Sequence, residues 1–277
     1  MHQVTDEERE QQDTRLKDNM AKIKYKIIVM SGKGGVGKTT VAVNLAYALS
    51  NTDAKVGIID TDIHGPNIAK MLGVEQESLG GSLSGIEPVA VRSNLKAVSM
   101  AFTGTDPDQP IIWRGPLKAG VIKQFLSDVN WGELDYLVID SPPGTGDEPL
   151  SVCQFIGDID GSIIVTTPQD VAILDSRKAV LFSRELGIPV IGIIENMSGF
   201  ICPHCNKEVN IFKKDGGVIA AQQLKVPFLG KIPLDVELVE SGDNGTPFVA
   251  FNNQSPTVQA FNQIVKNIEE FIKKAKM

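Results

Sequence analysis

Cysteine is scarce in this chain, which has three among 277 residues. Three cysteines do not make the disulfide framework of a small secreted protein, so the composition favours a reducing compartment in which a CxxC pair does metal or redox chemistry. Long apolar runs are missing as well: none approaches the roughly 18 residues of a membrane span, and the N-terminus lacks the apolar core of a signal peptide. We expect a soluble, cytoplasmic protein.

Basic residues are fewer than acidic residues. The chain has 27 Lys and Arg residues against 34 Asp and Glu residues, a formal net charge of -7. A protein that binds nucleic acid or an anionic membrane needs a net basic face to displace counterions. We therefore expect neither partner, although a local basic patch is compatible with this balance.

From Tyr25 onward, short apolar runs such as KIIVM, KVGIID, YLVID and SIIVTT alternate with longer amphipathic segments. This alternation predicts an α/β fold, a three-layer sandwich with a mostly parallel central sheet flanked by helices. At 42% hydrophobic residues the chain can bury one large core, so residues 25–277 are predicted to be one domain. Two glycine and proline rich loops, GVEQESLGGSLSGIEP and TGTDPDQP, are expected over the carboxyl edge of the sheet.

Residues 1–24 have few large apolar side chains and many charges of alternating sign. This composition is typical of a solvated helix or a disordered tail. We expect the segment to lie outside the core and assign it no chemistry.

The segment KIIVMSGKGGVGKTTVAVNLAYAL has the order strand, glycine-rich turn, helix, and residues 32–39 fit G-x-x-x-x-G-K-[ST] in full. In such a loop, backbone N–H groups and the positive end of the helix face the phosphates, Lys38 reaches the β and γ phosphates, and Thr39 ligates magnesium. The expected nucleotide-binding residues of the loop are Gly32, Lys33, Gly34, Gly35, Val36, Gly37, Lys38, Thr39 and Thr40.

The same glycines also satisfy GxGxxG, and Asp60 ends the next strand, as in a dinucleotide site. The KTT that follows favours a nucleoside triphosphate, because a lysine and two hydroxyls at the helix start serve a triphosphate with magnesium and have no use in a dinucleotide site. A glycine-rich turn without a ligand is the third interpretation.

Three acidic residues lie at or just after the ends of two apolar runs. Asp60 and Asp62 are two residues apart, and both carboxylates face the phosphate edge if the strand stays extended. One could orient the water ligands of magnesium while the other positions the attacking water, and the spacing does not allot these roles. Asp140 ends YLVID and is the expected magnesium carboxylate of a Walker B strand, although an aspartate there is often only a turn cap.

Lys33 gives the loop the form KGGVGKT, which resembles the deviant Walker A ATPases, the superfamily of MinD, ParA, ArsA and the nitrogenase iron protein. The segments DTDIHGPNIAKMLG, IIWRGPLK, DSPPGTGDEPLS and ENMSGFICPHC, in this order, narrow the resemblance to the Mrp/ApbC branch of P-loop iron-sulfur cluster carrier ATPases over residues 25–276. The resemblance implies a homodimer that binds a labile 4Fe-4S cluster, hydrolyses ATP slowly and passes the cluster to apo iron-sulfur proteins.

The resemblance also implies roles for single residues. Lys33 would reach the partner's nucleotide and act like an arginine finger, the alternative being a solvated loop lysine. Asp62 would serve the attacking water and Asp60 the magnesium shell, while Asn196 and Asp235 would contact adenine. The implied catalytic residues are Lys33, Lys38 and Asp62, and the implied magnesium residues are Thr39, Asp60 and Asp140.

Cys202 and Cys205 form a CxxC pair, half of a four-ligand metal site. One chain adds only His204, inside the pair, and Cys153, which we expect to be a core residue. A two-fold axis would supply the pair twice, so that four thiolates hold a cluster between two chains. We expect an insertion at about residues 199–213 to carry this site, and no second cluster in residues 1–24, which lack cysteine.

Two other interpretations of the CxxC pair stay open. It could bind a structural zinc that bridges the dimer, which would make the protein an ATP-dependent positioning or assembly switch. It could also be the redox pair of a thiol oxidoreductase, but such a pair needs a helix N-terminus and no helical apolar period follows it.

Overall fold

The structure, a computed structural model, describes residues 5–63, 65–82, 85–104, 115–202, 204–205, 207–250 and 255–275. Its strands are β1 (Ile23–Met30), β2 (Val56–Asp60), β3 (Gly80–Ser82), β4 (Gly85–Glu87), β5 (Val89–Arg92), β6 (Leu95–Val98), β7 (Leu134–Asp140), β8 (Gly161–Thr166), β9 (Val190–Glu195), β10 (Phe200–Ile201), β11 (Glu208–Val209) and β12 (Phe228–Lys231). Its α-helices are α1 (Asp6–Ala21), α2 (Lys38–Ser50), α3 (Ile68–Leu72), α4 (Gly115–Ser127), α5 (Asp147–Ile156), α6 (Asp170–Glu185), α7 (Gly216–Leu224), α8 (Val236–Asp243) and α9 (Pro256–Ala275).

Eight strands form one sheet in the order β12-β9-β8-β1-β7-β2-β6-β5. All neighbours in it are parallel except β5, which pairs antiparallel with β6 at the edge. Strands β2 and β8 have no exposed residue, as expected where helices cover both faces of a parallel sheet. The predicted α/β sandwich is confirmed.

The core divides into two clusters because successive residues of a strand point to opposite faces. Ile27 and Val29 of β1 pack with α2 and α9, whereas Ile28 and Met30 pack with α4, α5 and α6.

Within the described ranges, no helix combines the length and the apolar character needed to span a membrane.

The β3–β4 hairpin lies at the amino end of the sheet, so the prediction that this loop covers the carboxyl edge is wrong for the hairpin; earlier in the loop, Leu79 N donates at 3.2 Å to Phe102 O, which follows the carboxyl end of β6. Ile86 N donates to Asp128 O at 2.8 Å and Asn130 N donates to Ile86 O at 2.8 Å, just before β7 begins. Gly85 permits this approach, because it has φ 143° and a Cβ there would lie 2.4 Å from Asp128 O. The second loop, from residue 105, and the IIWR of IIWRGPLK lie outside the described residues.

Helix α1 is the helical alternative expected within residues 1–24, but it packs against α4 and contributes to the core, contrary to the expectation that this segment lies outside it. Leu16 and Met20, four residues apart on one helix face, are buried. Asn19 Nδ2 donates to the carbonyls of Leu126, Ser127 and Val129, the last turn of α4 and the loop after it. Two apolar residues among many charges are too few to show a helical period in the sequence.

Leu16→Ala should lower the free energy of unfolding by about 2–4 kcal/mol, because it removes a buried side chain from the contact with α4. The exposed neighbour Lys17→Ala is the matched control and should change stability by less than about 0.5 kcal/mol. Urea unfolding followed by circular dichroism measures both. Equal effects of the two variants would contradict the packing of α1 as part of the core.

Candidate functional site

The phosphate-loop motif joins the carboxyl end of β1 to helix α2. Gly35 and Gly37 have φ 78° and 80°, in the left-handed region that favours glycine. A Cβ on Gly37 would lie 2.2 Å from Asn196 Nδ2, so no side chain fits there. Because Gly37 is also the N-cap of α2, no side-chain oxygen occupies the first N–H groups of that helix, and they face the cleft as an anion site requires.

Lys38, Thr39 and Asp140 form one bonded unit at the bottom of this loop. Lys38 Nζ lies 2.6 Å from Asp140 Oδ1, and Thr39 Oγ1 donates to Asp140 Oδ2 at 2.7 Å. Burial raises the pKa of the Asp140 carboxyl, while Lys38 and Thr39 act in the opposite direction. The Walker B carboxylate therefore touches both phosphate-loop residues predicted to work with it.

Asp60 lies beside Asp140 on the neighbouring strand, and its carboxylate is directed into the protein. Oδ1 accepts from Asp62 N at 3.0 Å, and Oδ2 from Ile68 N at 3.4 Å and Ser99 Oγ at 3.5 Å. Burial, with the charge of Asp140 next, raises the pKa of Asp60 well above its ordinary value of 3.8. The prediction that Asp60 and Asp62 both face the phosphate edge holds for Asp62 alone.

A cleft of about 430 Å³ opens above the loop. Four of the predicted site residues do not line this cleft and lie behind its wall: Gly32, Val36, Asp60 and Asp140. Gly32 is packed so closely against α6 that a Cβ would lie 2.1 Å from Asp175 O. The predicted residues that do line the cleft are Lys33, Gly34, Gly35, Gly37, Lys38, Thr39, Thr40, Asp62, Asn196 and Asp235.

Asn196 and Asp235, the predicted adenine contacts, both line the cleft. Asn196 Nδ2 donates to Val36 O at 2.9 Å, which fixes the phosphate loop to the end of β9. Asp235 is the N-cap of α8: its Oδ1 accepts from Glu237 N at 3.0 Å, and its Oδ2 accepts from Thr257 Oγ1 at 2.6 Å. Contact with adenine stays a prediction for both.

The CxxC pair sits on a surface hairpin made by β10 and β11, with Cys202 N donating to Lys207 O at 3.0 Å. Cys205 is exposed and Cys202 partly so. The backbone N–H of His204, followed by the N–H and thiol of Cys205, lowers the pKa of the Cys202 thiol. Cys153 is buried in the core, and burial raises the pKa of its thiol to about 11.

The family model described as the NUBPL iron-transfer P-loop NTPase, of the ParA group, matches residues 22–269. The chain belongs to this family. An "Iron-sulfur cluster carrier protein" of Methanocaldococcus jannaschii is 54% identical to this chain over 260 residues, 94% of this chain and 89% of that protein. The resemblance read from the motifs is confirmed.

Two solved structures are similar to this chain. One is a nucleotide-binding protein from Archaeoglobus fulgidus in complex with ADP, 37% identical, with a TM-score of 0.76 and coverage of 92% of this chain and 96% of that one. The other is the cell division ATPase MinD of Pyrococcus furiosus, 23% identical, with a TM-score of 0.63 and coverage of 89% and 99%. The second likeness concerns the fold alone.

Several residues in or behind the site were not predicted. Asn67, Met71 and Leu238 line the cleft; the first two lie within DTDIHGPNIAKMLG but were given no role, and no motif points to Leu238. Glu195 is fully buried next to Asn196 and accepts hydrogen bonds from Ser198, Asp215 and Gly217. A signal for Glu195 was present in the sequence, since it ends an apolar strand as Asp140 does.

Asp60→Asn should change how stability depends on pH. Because the pKa of Asp60 is raised in the folded state, the folded chain holds this proton more tightly than the unfolded chain. The stability that the protonated side chain contributes is fully present below pH 3.8 and is lost as the pH rises from there through the raised pKa. The unfolding free energy of the wild type should therefore fall relative to Asp60→Asn across that window. Urea unfolding at a series of pH values measures it, and a constant difference would contradict the burial of a charged Asp60.

Proposed function

We propose that this chain is a cytoplasmic, ATP-hydrolysing iron-sulfur cluster carrier that holds a labile 4Fe-4S cluster between two copies of itself and transfers it to apo iron-sulfur proteins. The observation that carries the proposal is a surface CxxC hairpin on the same chain as a complete phosphate loop. The carrier named among its relatives and the ADP-bound neighbour support the two halves of the proposal.

The nucleotide half rests on the unit of Lys38, Thr39 and Asp140. On nucleotide binding, Lys38 would turn from Asp140 to the phosphates. Thr39 Oγ1 and Asp140 Oδ2 lie 2.7 Å apart, and both are hard oxygen ligands of the kind that magnesium prefers. Magnesium bound there would neutralise charge that develops on the transferred phosphoryl group.

Hydrolysis needs a positioned water and a cation at the γ phosphate. Asp62 lines the cleft and is half-buried, which suits a carboxylate that orients the attacking water. Lys33 lines the same cleft and is partly exposed. We assign Lys33 to the nucleotide of the partner chain, where it would stabilise charge in the transition state.

The cluster half rests on ligand number. Nowhere in the described residues do three or more His, Cys, Asp or Glu side chains gather as one metal site. Two chains would bring Cys202 and Cys205 together twice, giving the four thiolates that a 4Fe-4S cluster takes. The lowered pKa of Cys202 favours the thiolate, the form that binds iron, and only two ligands per chain suit a cargo that must leave.

Cys202→Ser should abolish cluster loading, because it removes two of the four thiolates of the dimer. Anaerobic reconstitution of the wild type should give about four iron and four sulfide per dimer with the absorption of a 4Fe-4S centre. Cys153→Ala is the control and should load as the wild type does, since that thiol is buried in the core. About one zinc per dimer and no sulfide would instead indicate the zinc-bridged switch.

Lys33→Ala should keep nucleotide binding and lose about 10²–10³-fold in ATP hydrolysis, whereas Lys38→Ala should lose binding itself. Calorimetry with ADP and a phosphate-release assay separate the two effects.

Mixing Lys33→Ala chains with Asp62→Asn chains tests action across the dimer. If Lys33 acts on the partner's nucleotide, one site of each mixed dimer has both residues, and about a quarter of wild-type activity should return. If Lys33 acts within its own chain, no mixed site is complete and no activity returns. The second outcome would contradict the assignment.

A further inference from the structure

The cysteine arm, residues 198–215, leaves the main sheet after β9 and returns at the start of α7. Both of its ends meet one side chain, the fully buried carboxylate of Glu195. Glu195 Oε1 accepts from the hydroxyl of Ser198 and from Asp215 N at 3.1 Å, and Oε2 accepts from Gly217 N at 2.5 Å. One carboxylate thus joins the two ends of the arm. We call Glu195 and the three residues that donate to it, Ser198, Asp215 and Gly217, the neck.

The local sequence is built for this contact. Asp215 takes a left-handed conformation with φ 68°, which turns its N–H and the first turn of α7 toward Glu195. A Cβ on Gly217 would lie 3.0 Å from Glu195 Cβ, and one on Gly216 would lie 2.4 Å from Pro168 O. The backbone N–H groups and positive end of α7 therefore stabilise the buried carboxylate.

The neck is also bonded to the wall of the nucleotide cleft. Leu234, which lines the cleft, donates through its N–H to Gly199 O at 2.8 Å, and Ser198 N donates to Ile232 O at 2.9 Å. Asn196, the residue next to Glu195, bonds to the phosphate loop at Val36 O. The phosphate loop is therefore connected to the base of the cysteine arm by the Asn196 hydrogen bond, the peptide bond between Asn196 and Glu195, and the hydrogen bonds that Glu195 accepts.

We infer that Glu195 is a positioning residue that couples the nucleotide cleft to the cysteine pair. By holding both ends of the arm, it makes the arm follow movements of the cleft wall, so that nucleotide binding alters how Cys202 and Cys205 are presented. The inference rests on the proposed function and names the contact that would link its two halves. Such coupling is measured as the ratio of cysteine reactivity with and without the nucleotide.

The test uses the full-length, cluster-free chain with Mg-ADP as the ligand and iodoacetamide as the thiol probe. Mass spectrometry gives the alkylation rates of Cys202 and Cys205. In the wild type, saturating Mg-ADP should change these rates at least about fivefold. In Glu195→Gln the ratio of the alkylation rates with and without Mg-ADP should be about one. The affinity for ADP should stay within about twofold of the wild-type affinity, because Glu195 does not line the cleft.

Glu195→Gln keeps the size of the side chain but replaces one acceptor oxygen by an amide that donates, opposite N–H groups that also donate. Glu185→Gln, the same change at an exposed position of α6, is the matched control and should keep the wild-type ratio. Ser198→Ala removes one bond of the neck, leaves both bonds to α7, and should lower the ratio partway. If Glu195→Gln does not fold, Ser198→Ala decides the test.

A wild-type ratio in Glu195→Gln, or in Ser198→Ala when it decides, would overturn the inference. So would a wild type whose alkylation rates ignore Mg-ADP, even though that protein still binds ADP and loads a cluster. Failure to bind ADP or to load a cluster would instead overturn the proposed function, and the inference with it.

Discussion

The pairing of Lys38 with Asp140 is the contact on which the nucleotide side of the molecule depends. Both side chains are almost inaccessible to water, and an unpaired charge in such a place costs several kcal/mol. Each residue therefore needs the other, or a ligand that replaces it. The parallel register of β1 with β7 brings the phosphate loop to the end of the strand that carries Asp140, so the sheet itself makes the pairing possible.

Asp60 shows how a second carboxylate is held beside Asp140. It turns inward to the N–H groups of Asp62 and Ile68, and burial together with the charge of Asp140 raises its pKa. Asp62 is left as the carboxylate that reaches the cleft. The three acidic residues thus differ in environment although the sequence shows three similar aspartates near strand ends.

Features with a local signal could be predicted. The alternation of apolar runs and helices gave the parallel sheet, and the spacing of glycines, Lys38 and Thr39 gave the loop, because both patterns are set within a few residues. Features decided by distant partners could not. The direction of Asp60 depends on Ile68 and Ser99, the cap made by Asp235 depends on Thr257, and the burial of Leu16 depends on α4.

The neck at Glu195 has a consequence for how the arm can vary. Because Glu195 holds only the two ends, the chain between Ser198 and Asp215 is not fixed in length by the neck, and a doubling of a flexible loop costs only about 0.6 kcal/mol of closure entropy. The arm is therefore a segment whose length and sequence can change while the residues that anchor its two ends stay the same. Its tip, which carries the CxxC pair, could be lengthened, shortened or replaced while the NTPase fold beneath it was kept.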